Sequence, residues 1–324
     1  MDIYLTADYE IYFGQPQGTV EKCLLYPTEL LIEICQKHRI ATTQFIDIGY
    51  IIQLKENEQS FPELKKQRIA ITEQIKKLVK LGHSCQLHIH PHWEKSIYKD
   101  GAWIIDTNFY KLNDFSEKKA EEITRKYFSE LEQITQSSIQ SFRAGGWCVQ
   151  PFSYLDSVFQ ELGIQNDSSV FRGGKNLQAP YFYDFSKAPD KSKWKFSVDP
   201  ALEKENGNFT EIPITSAKYS PLFFWQLYIM GRLNPKNHKP LGDGYPISSK
   251  GNNKWNSLTQ TQHLYASMDG YFAKALPRIL NSISKKEFNE MVVIGHPKAY
   301  THYSLKKLEA FIDQNKEKHR FKTM

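Results

Sequence analysis

Apolar positions follow two alternating rhythms along the chain. IYLTA at 3–7, TTQFIDI at 42–48, GHSCQLHIH at 82–90, IQSFRA at 139–144, IQNDSSVF at 164–171 and MVVIGH at 291–296 are short, β-branched or alternating runs that read as strands. Between them lie segments with apolar residues at three- and four-residue steps, which predict helices near 28–38, 62–81, 114–138, 151–162, 261–284 and 305–314. Ile123, Tyr127, Leu131 and Ile134 make the clearest such stripe, and Gly82 marks the end of the 62–81 helix. Strands alternating with helices predict parallel pairing through crossover helices, in a sheet or a barrel. From about 171 to 260 the rhythm gives way to Gly-, Pro- and Asn-rich sequence with EIPIT at 211–215 as its clear strand, so this stretch is expected to be an irregular insertion or subdomain.

Composition narrows the classes. The 324 residues are 40% hydrophobic and 24% charged, a globular balance of a size that one α/β barrel can occupy, and one domain over 1–324 is expected. The 42 Lys and Arg against 36 Asp and Glu give a net charge of +6, but the positive pairs are scattered along helices, so no nucleic-acid partner is expected. The longest apolar run, PLFFWQLYIM, is about half of what spans a bilayer. Four cysteines without C-x-x-C spacing, and an N-terminus without a basic and apolar leader, lead to the expectation of a reducing, cytoplasmic location.

Chemistry-bearing residues gather where the predicted strands end: Asp8 and Glu10, then His88, His90 and His92, then Arg143, then His296. In a βα barrel those ends form the active-site face. Asp8 and Glu10, two residues apart on a strand, share one side about 6.5 to 7 Å apart, so one can ligate a metal while the other acts as a base. The three histidines suit a divalent ion, zinc above all, which takes neutral imidazole together with a carboxylate or water. Trp93, Trp103 and Trp147 offer faces on which sugar rings stack, although packing is the commoner use of such residues. Asp167 is placed to hold a substrate hydroxyl, and Asp199 reads as a turn residue or as a buttress for a catalytic group. No G-x-S-x-G elbow is present.

Taken in order, TADYE, GHSCQLHIHPH, SFRAGGW, NDSSVF and VVIGHP resemble the motif series of the polysaccharide deacetylase family, carbohydrate esterase family four. The resemblance runs from residue 6 to 297, with 171–260 loosely included. It implies an irregular (β/α) barrel of that type carrying a long insertion, Asp8 as catalytic base, His88 and His92 as metal ligands, Arg143 as the residue that orients the base, and His296 as general acid. Tyr9 stands where the family has its ligating Asp, so Glu10 becomes the first choice of carboxylate ligand, with Asp8 as the fallback. His90 has no counterpart in the motif. The implied activity is metal-dependent removal of an N-acetyl group from an amino sugar or a precursor of surface glycan, with a backbone N–H near Gly145, Gly146 and Trp147 meeting the oxyanion. The alternatives are a cyclic-amide or other C–N hydrolase on the same barrel, and a degenerate barrel that binds glycan without turnover.

Overall fold

A computed structural model describes residues 1–247 and 254–324. Its main sheet is built from β1 (Asp2–Tyr9), β2 (Thr43–Asp47), β3 (Ser84–Ile89), β4 (Ser141–Ala144), β5 (Asn166–Asp167), β6 (Trp194–Phe196), β7 (Phe209–Glu211), β8 (Glu290–Gly295) and β9 (Arg320–Lys322). The order is β6-β7-β5-β4-β3-β2-β1-β8, with β9 beside the first residues of β1. Every pairing is parallel except that of β6 with β7. The connections run through α1 (Tyr26–His38), α2 (Ile48–Asn57), α3 (Pro62–Lys80), α4 (Glu117–Thr135) and α5 (Asp156–Leu162); after β7 come α6 (Pro221–Leu233), α7 (Leu276–Ser284) and α8 (His302–Asn315). This is the expected irregular (β/α) barrel.

Sequence chemistry accounts for the boundaries. Pro62 opens α3, and Gly82, at φ +85, turns the chain out of it, a conformation that glycine adopts without a Cβ penalty. Ser116 caps α4 by accepting the Lys119 N–H, and that helix buries Ile123, Tyr127, Leu131 and Ile134 as its periodicity predicts. Along β1 the outward residues Ile3, Leu5 and Ala7 pack with Leu31 and Cys35 of α1 and Leu308 and Ile312 of α8. The alternate positions Thr6 and Asp8 therefore face the barrel interior. Asp47, His88 and Arg143 are register partners across β2, β3 and β4, which puts them in one inward row.

Irregular chain closes the wall. Residues 212–214 leave β7 still bonded to the β5 side (Ile212 N–H to Asp167 O, 2.9 Å; Ile214 N–H to Val170 O, 2.8 Å), and Thr215 then donates to Val292 O of β8 at 3.0 Å. The 266–268 segment lies on the same seam, with Ser267 bridging Ile294 and the Met268 N–H reaching Ile294 O at 2.9 Å.

One expectation is corrected. The helix predicted over 261–284 forms from Leu276; Gln262–Tyr265 instead pairs antiparallel with Ser216–Tyr219. Pro277, which favours a helical first turn, sets that late start. The 171–260 stretch, expected as an irregular insertion or subdomain, contains β6, β7, α6, a hairpin of Lys175–Asn176 with Tyr183–Asp184, and short helices at Pro235–His238 and Lys254–Thr259. Its residues 248–253 lie outside the described residues. Among the described residues no helix is long and apolar enough to cross a membrane.

Candidate active site

Asp8, near the inward end of β1, accepts a hydrogen bond from Arg143 Nη1 at 2.6 Å. Arg143 is wholly buried, donates from Nε and Nη2 to Ser168 O and Oγ, and lies over the Phe45 ring at 4.1 Å. With three of its five N–H donors thus engaged and one face covered, the guanidinium is held in place and fixes Asp8 Oδ1 while leaving Oδ2 on the open side.

Beside it a second group converges. Glu10 Oε2 lies 2.6 Å from His90 Nε2 and 3.4 Å from His88 Nε2, and one ligating atom from each of the three residues falls within 4.8 Å of the others. His88 Nδ1 meets Arg143 O at 2.7 Å. A carbonyl only accepts, so Nδ1 carries the proton and Nε2 presents a lone pair. Glu10 Oε2, His88 Nε2 and His90 Nε2 are all buried and have no hydrogen-bond partner. Buried polar atoms are normally satisfied, so three orphaned donor atoms aimed at one another fit a cation held between them. Burial disfavours the Glu10 carboxylate, yet the Lys298 ammonium above all outweighs it and holds Glu10 well below the usual carboxylate range. Burial brings His90 down to about 4, so it is neutral, as a ligand must be.

His92 lies outside that trio. Pro91 turns the chain into a 3-10 helix at Pro91–Lys95, ending the strand alternation at His90. The His92 ring sits behind that of His90 at 5.2 Å, edge-on to Phe13 at 4.6 Å. Gly145 makes the approach of His90 possible, because a Cβ there would sit 2.5 Å from His90 Nδ1.

His296, following β8, is held twice by Asp269: Asp269 Oδ1 accepts its backbone N–H at 2.8 Å and Oδ2 accepts from Nδ1 at 2.7 Å. Nε2 is thereby turned to the site, 3.7 Å from Asp8 Oδ2 and 3.9 Å from Glu10 Oε1. Burial lowers the pKa of this imidazole, but the charge of Asp269 and its hydrogen bond, then Asp8 and Glu10, raise it above the ordinary histidine value.

The remaining residues singled out in the sequence lie as follows. Trp93 is 0% exposed and donates its indole N–H to Asp47 Oδ2 at 2.7 Å, which leaves no open face for a sugar. Trp147 is half-buried among Phe171, Tyr183 and Tyr265, and it and Gly146 have φ near +60, so the backbone turns sharply at the mouth. Asp199 is a turn residue that accepts from Gln150 Nε2 and the Ala201 N–H, whereas the buttress of His296 is Asp269.

Asp167 faces Glu211 within the wall. Ser169 donates to Asp167 through its hydroxyl (2.7 Å) and its N–H (3.1 Å), and Val170 N–H donates to Glu211 Oε1 at 3.2 Å. Burial first, and the Asp167 charge next, push Glu211 well above the usual carboxylate range. An acid raised above its unfolded value stabilises the fold fully below that value, about 4.3, and progressively less as pH rises toward the folded value, at most about 1.4 kcal/mol per unit. Glu211→Gln, which still donates, should flatten this slope. Melting temperatures across pH 5 to 8 should show the variant gaining on the wild type as pH rises, and parallel curves would mean that Glu211 is ionised.

No protein-family model and no curated protein matches the sequence. Among solved structures, a protein from Mycobacterium smegmatis assigned as a polysaccharide deacetylase aligns over 98% of this chain and 85% of its own, with a TM-score of 0.53 at 13% identity. The fold is that of the polysaccharide deacetylases. The PuuE allantoinase and the catalytic domain of a peptidoglycan N-acetylglucosamine deacetylase from Eubacterium rectale also align, at TM-scores of 0.49 and 0.41 and identities of 11% and 14%. They cover 99% and 100% of this chain and 87% of each of their own. Likeness at such identity is likeness of fold.

Two site residues of this barrel escaped the sequence reading. Asp269 was hidden inside a predicted helix. Lys298, two residues after His296, donates to Glu10 Oε1 at 2.8 Å and to Ile11 O at 2.7 Å and is only 8% exposed. Its signal was a lysine just beyond the last strand-end histidine. Lys298→Met should weaken binding of a divalent ion by roughly 10- to 100-fold, as loss of a ligand's supporting partner does elsewhere. A chelator competition reads this, and unchanged affinity would leave Lys298 as a packing residue.

Proposed function

We propose that the protein is a metal-dependent amide hydrolase that removes an N-acetyl group from an amino sugar or glycan precursor. The observation that carries this reading is the adjacency of three elements at one barrel mouth: the orphaned Glu10–His88–His90 atoms, the Arg143-fixed Asp8, and the Asp269-fixed His296.

Glu10, His88 and His90 would hold the ion, and zinc is the first choice because neutral imidazole with one carboxylate is its usual donor set. A divalent ion supplies Lewis acidity, which acidifies water and polarises an acyl carbonyl. Asp8 takes the proton of the attacking water on Oδ2, since Oδ1 is engaged by Arg143. His296, with Nδ1 donated to Asp269, gives the proton on Nε2 to the departing nitrogen. That nitrogen leaves poorly as an anion, so a nearby acid is needed. Backbone N–H groups at Gly145 to Trp147, the turn against which His90 packs, would meet the developing oxyanion, and each such donor contributes about 3 to 4 kcal/mol in other enzymes. Trp147 and its tyrosine neighbours supply the apolar faces that a pyranose ring uses.

The test is release of acetate from N-acetylated sugars, free, nucleotide-linked, lipid-linked and polymeric, by zinc-loaded protein, with loss on chelation and recovery on zinc return. Turnover that persists without any ion would favour the cyclic-amide reading. Sugar binding without acetate release would favour the degenerate binder.

A further inference from the structure

Helix α6 carries an apolar face that the fold does not use. Its buried side is Phe224, with Phe223 and Tyr228 partly buried, and Phe223 and Phe224 pack against Phe272. Its outer side is Leu222, Trp225, Ile229 and Leu233, which at 100° per residue fall within about 80° of arc. All four are exposed, Leu222 at 65% and Leu233 at 76%. A soluble surface shows scattered apolar residues, not a continuous helical stripe.

The charge around the stripe is one-sided. Between residues 212 and 268 the sequence has six Lys and Arg and a single acid, Asp243. Arg232, Lys236 and Lys239 follow the stripe directly and are exposed, Lys254 lies on the short helix beside it, and Asp243 is occupied by Thr19. Tyr245 and Trp255 are exposed on the same segment at 61% and 70%. Apolar anchors, amphipathic aromatics and flanking cations that far outnumber acids are the combination that an anionic bilayer surface selects. An apolar protein partner needs no such charge, and a second copy would bring like charge against like.

We propose that α6 docks the protein on an anionic membrane surface as a peripheral, non-spanning attachment. The attachment lies beside the catalytic rim. Residues 241–245 run from it onto the site's own loops, with Gly242 N–H donating to Lys298 O at 3.0 Å and Gly14 N–H to Tyr245 O at 2.9 Å.

The experiment is sedimentation of the full chain with phosphatidylcholine vesicles and with vesicles that also contain phosphatidylglycerol. The wild type should sediment with the mixed vesicles and far less with phosphatidylcholine alone, and high salt should release it. Leu222→Glu/Ile229→Glu and Lys236→Glu/Lys239→Glu should each lower partitioning by more than about tenfold. Trp emission of the wild type, which needs no fold-risking variant, should shift to the blue with mixed vesicles, and Trp225→Phe should diminish that shift. Absence of wild-type binding or of any shift overturns the proposal, as does unchanged binding by the variants. A concentration-dependent dimer that the apolar variants dissolve, without vesicle binding, also overturns it and makes the face a self-interface. Acetate release plays no part in these readouts, so failure of docking and failure of the proposed activity are separable.

Discussion

His90→Ala should give a folded protein almost devoid of divalent ion, whereas His92→Ala should keep its ion. The motif resemblance pairs His88 with His92, but in the folded chain His90 Nε2 is the atom that meets Glu10, and the His92 ring stands behind it. Loss of a direct ligand should reduce affinity by more than about 100-fold, exceeding the roughly 10- to 100-fold typical of supporting partners. Loss of the ring behind it should cost less than about tenfold and act chiefly on stability through the cavity left against Phe13 and Trp93. Elemental analysis of protein purified with zinc, followed by chelator titration, reads both. An ion lost from His92→Ala and retained in His90→Ala would restore the motif pairing.

Asp8→Asn should leave ion content unchanged and lower kcat by about 10²- to 10⁴-fold, because an amide oxygen still accepts from Arg143 Nη1 but cannot take a proton. His296→Gln should lower kcat by a similar factor on a simple N-acetyl sugar. The two variants separate when the leaving group changes. With an activated N-acyl substrate, whose leaving group needs less protonation, the His296 variant should recover much of its rate and the Asp8 variant should not. Equal losses on both substrates, with a lowered melting temperature for the His296 variant, would make His296 a scaffold residue.

The strand-end clusters were legible because parallel strands are buried on both faces, so polar groups inside them stand out against continuous apolar sequence. Asp8, Glu10, His88, His90, Arg143 and His296 all come within one barrel mouth for that reason. Other features lacked a local signal. Helix α2 is buried from Ile48 through Leu54, so it has no polar face and no helical period to read. Asp269 gains its role from chain closure beside β8, 27 positions before the histidine it holds, and local spacing does not encode that contact. Trp93 illustrates the converse. Its position next to the histidines suggested a sugar platform, while its burial against Asp47 and Tyr50 depends on α2, which the pattern did not reveal.

The seam formed by residues 212–215 and 266–268 is a stretch of barrel wall made without regular strand, and Asp269 is the next residue along it. Closing the wall and aiming the acid are therefore one event. A molecule whose seam has parted keeps β1, β3 and β4, and with them every proposed metal ligand and the Asp8–Arg143 pair, but His296 has lost its guide. Such a half-open form would bind its ion and fail to turn over. In mild denaturant, activity should decline before helical ellipticity or ion content does, so the barrel's weakest join would act as the fuse of its chemistry.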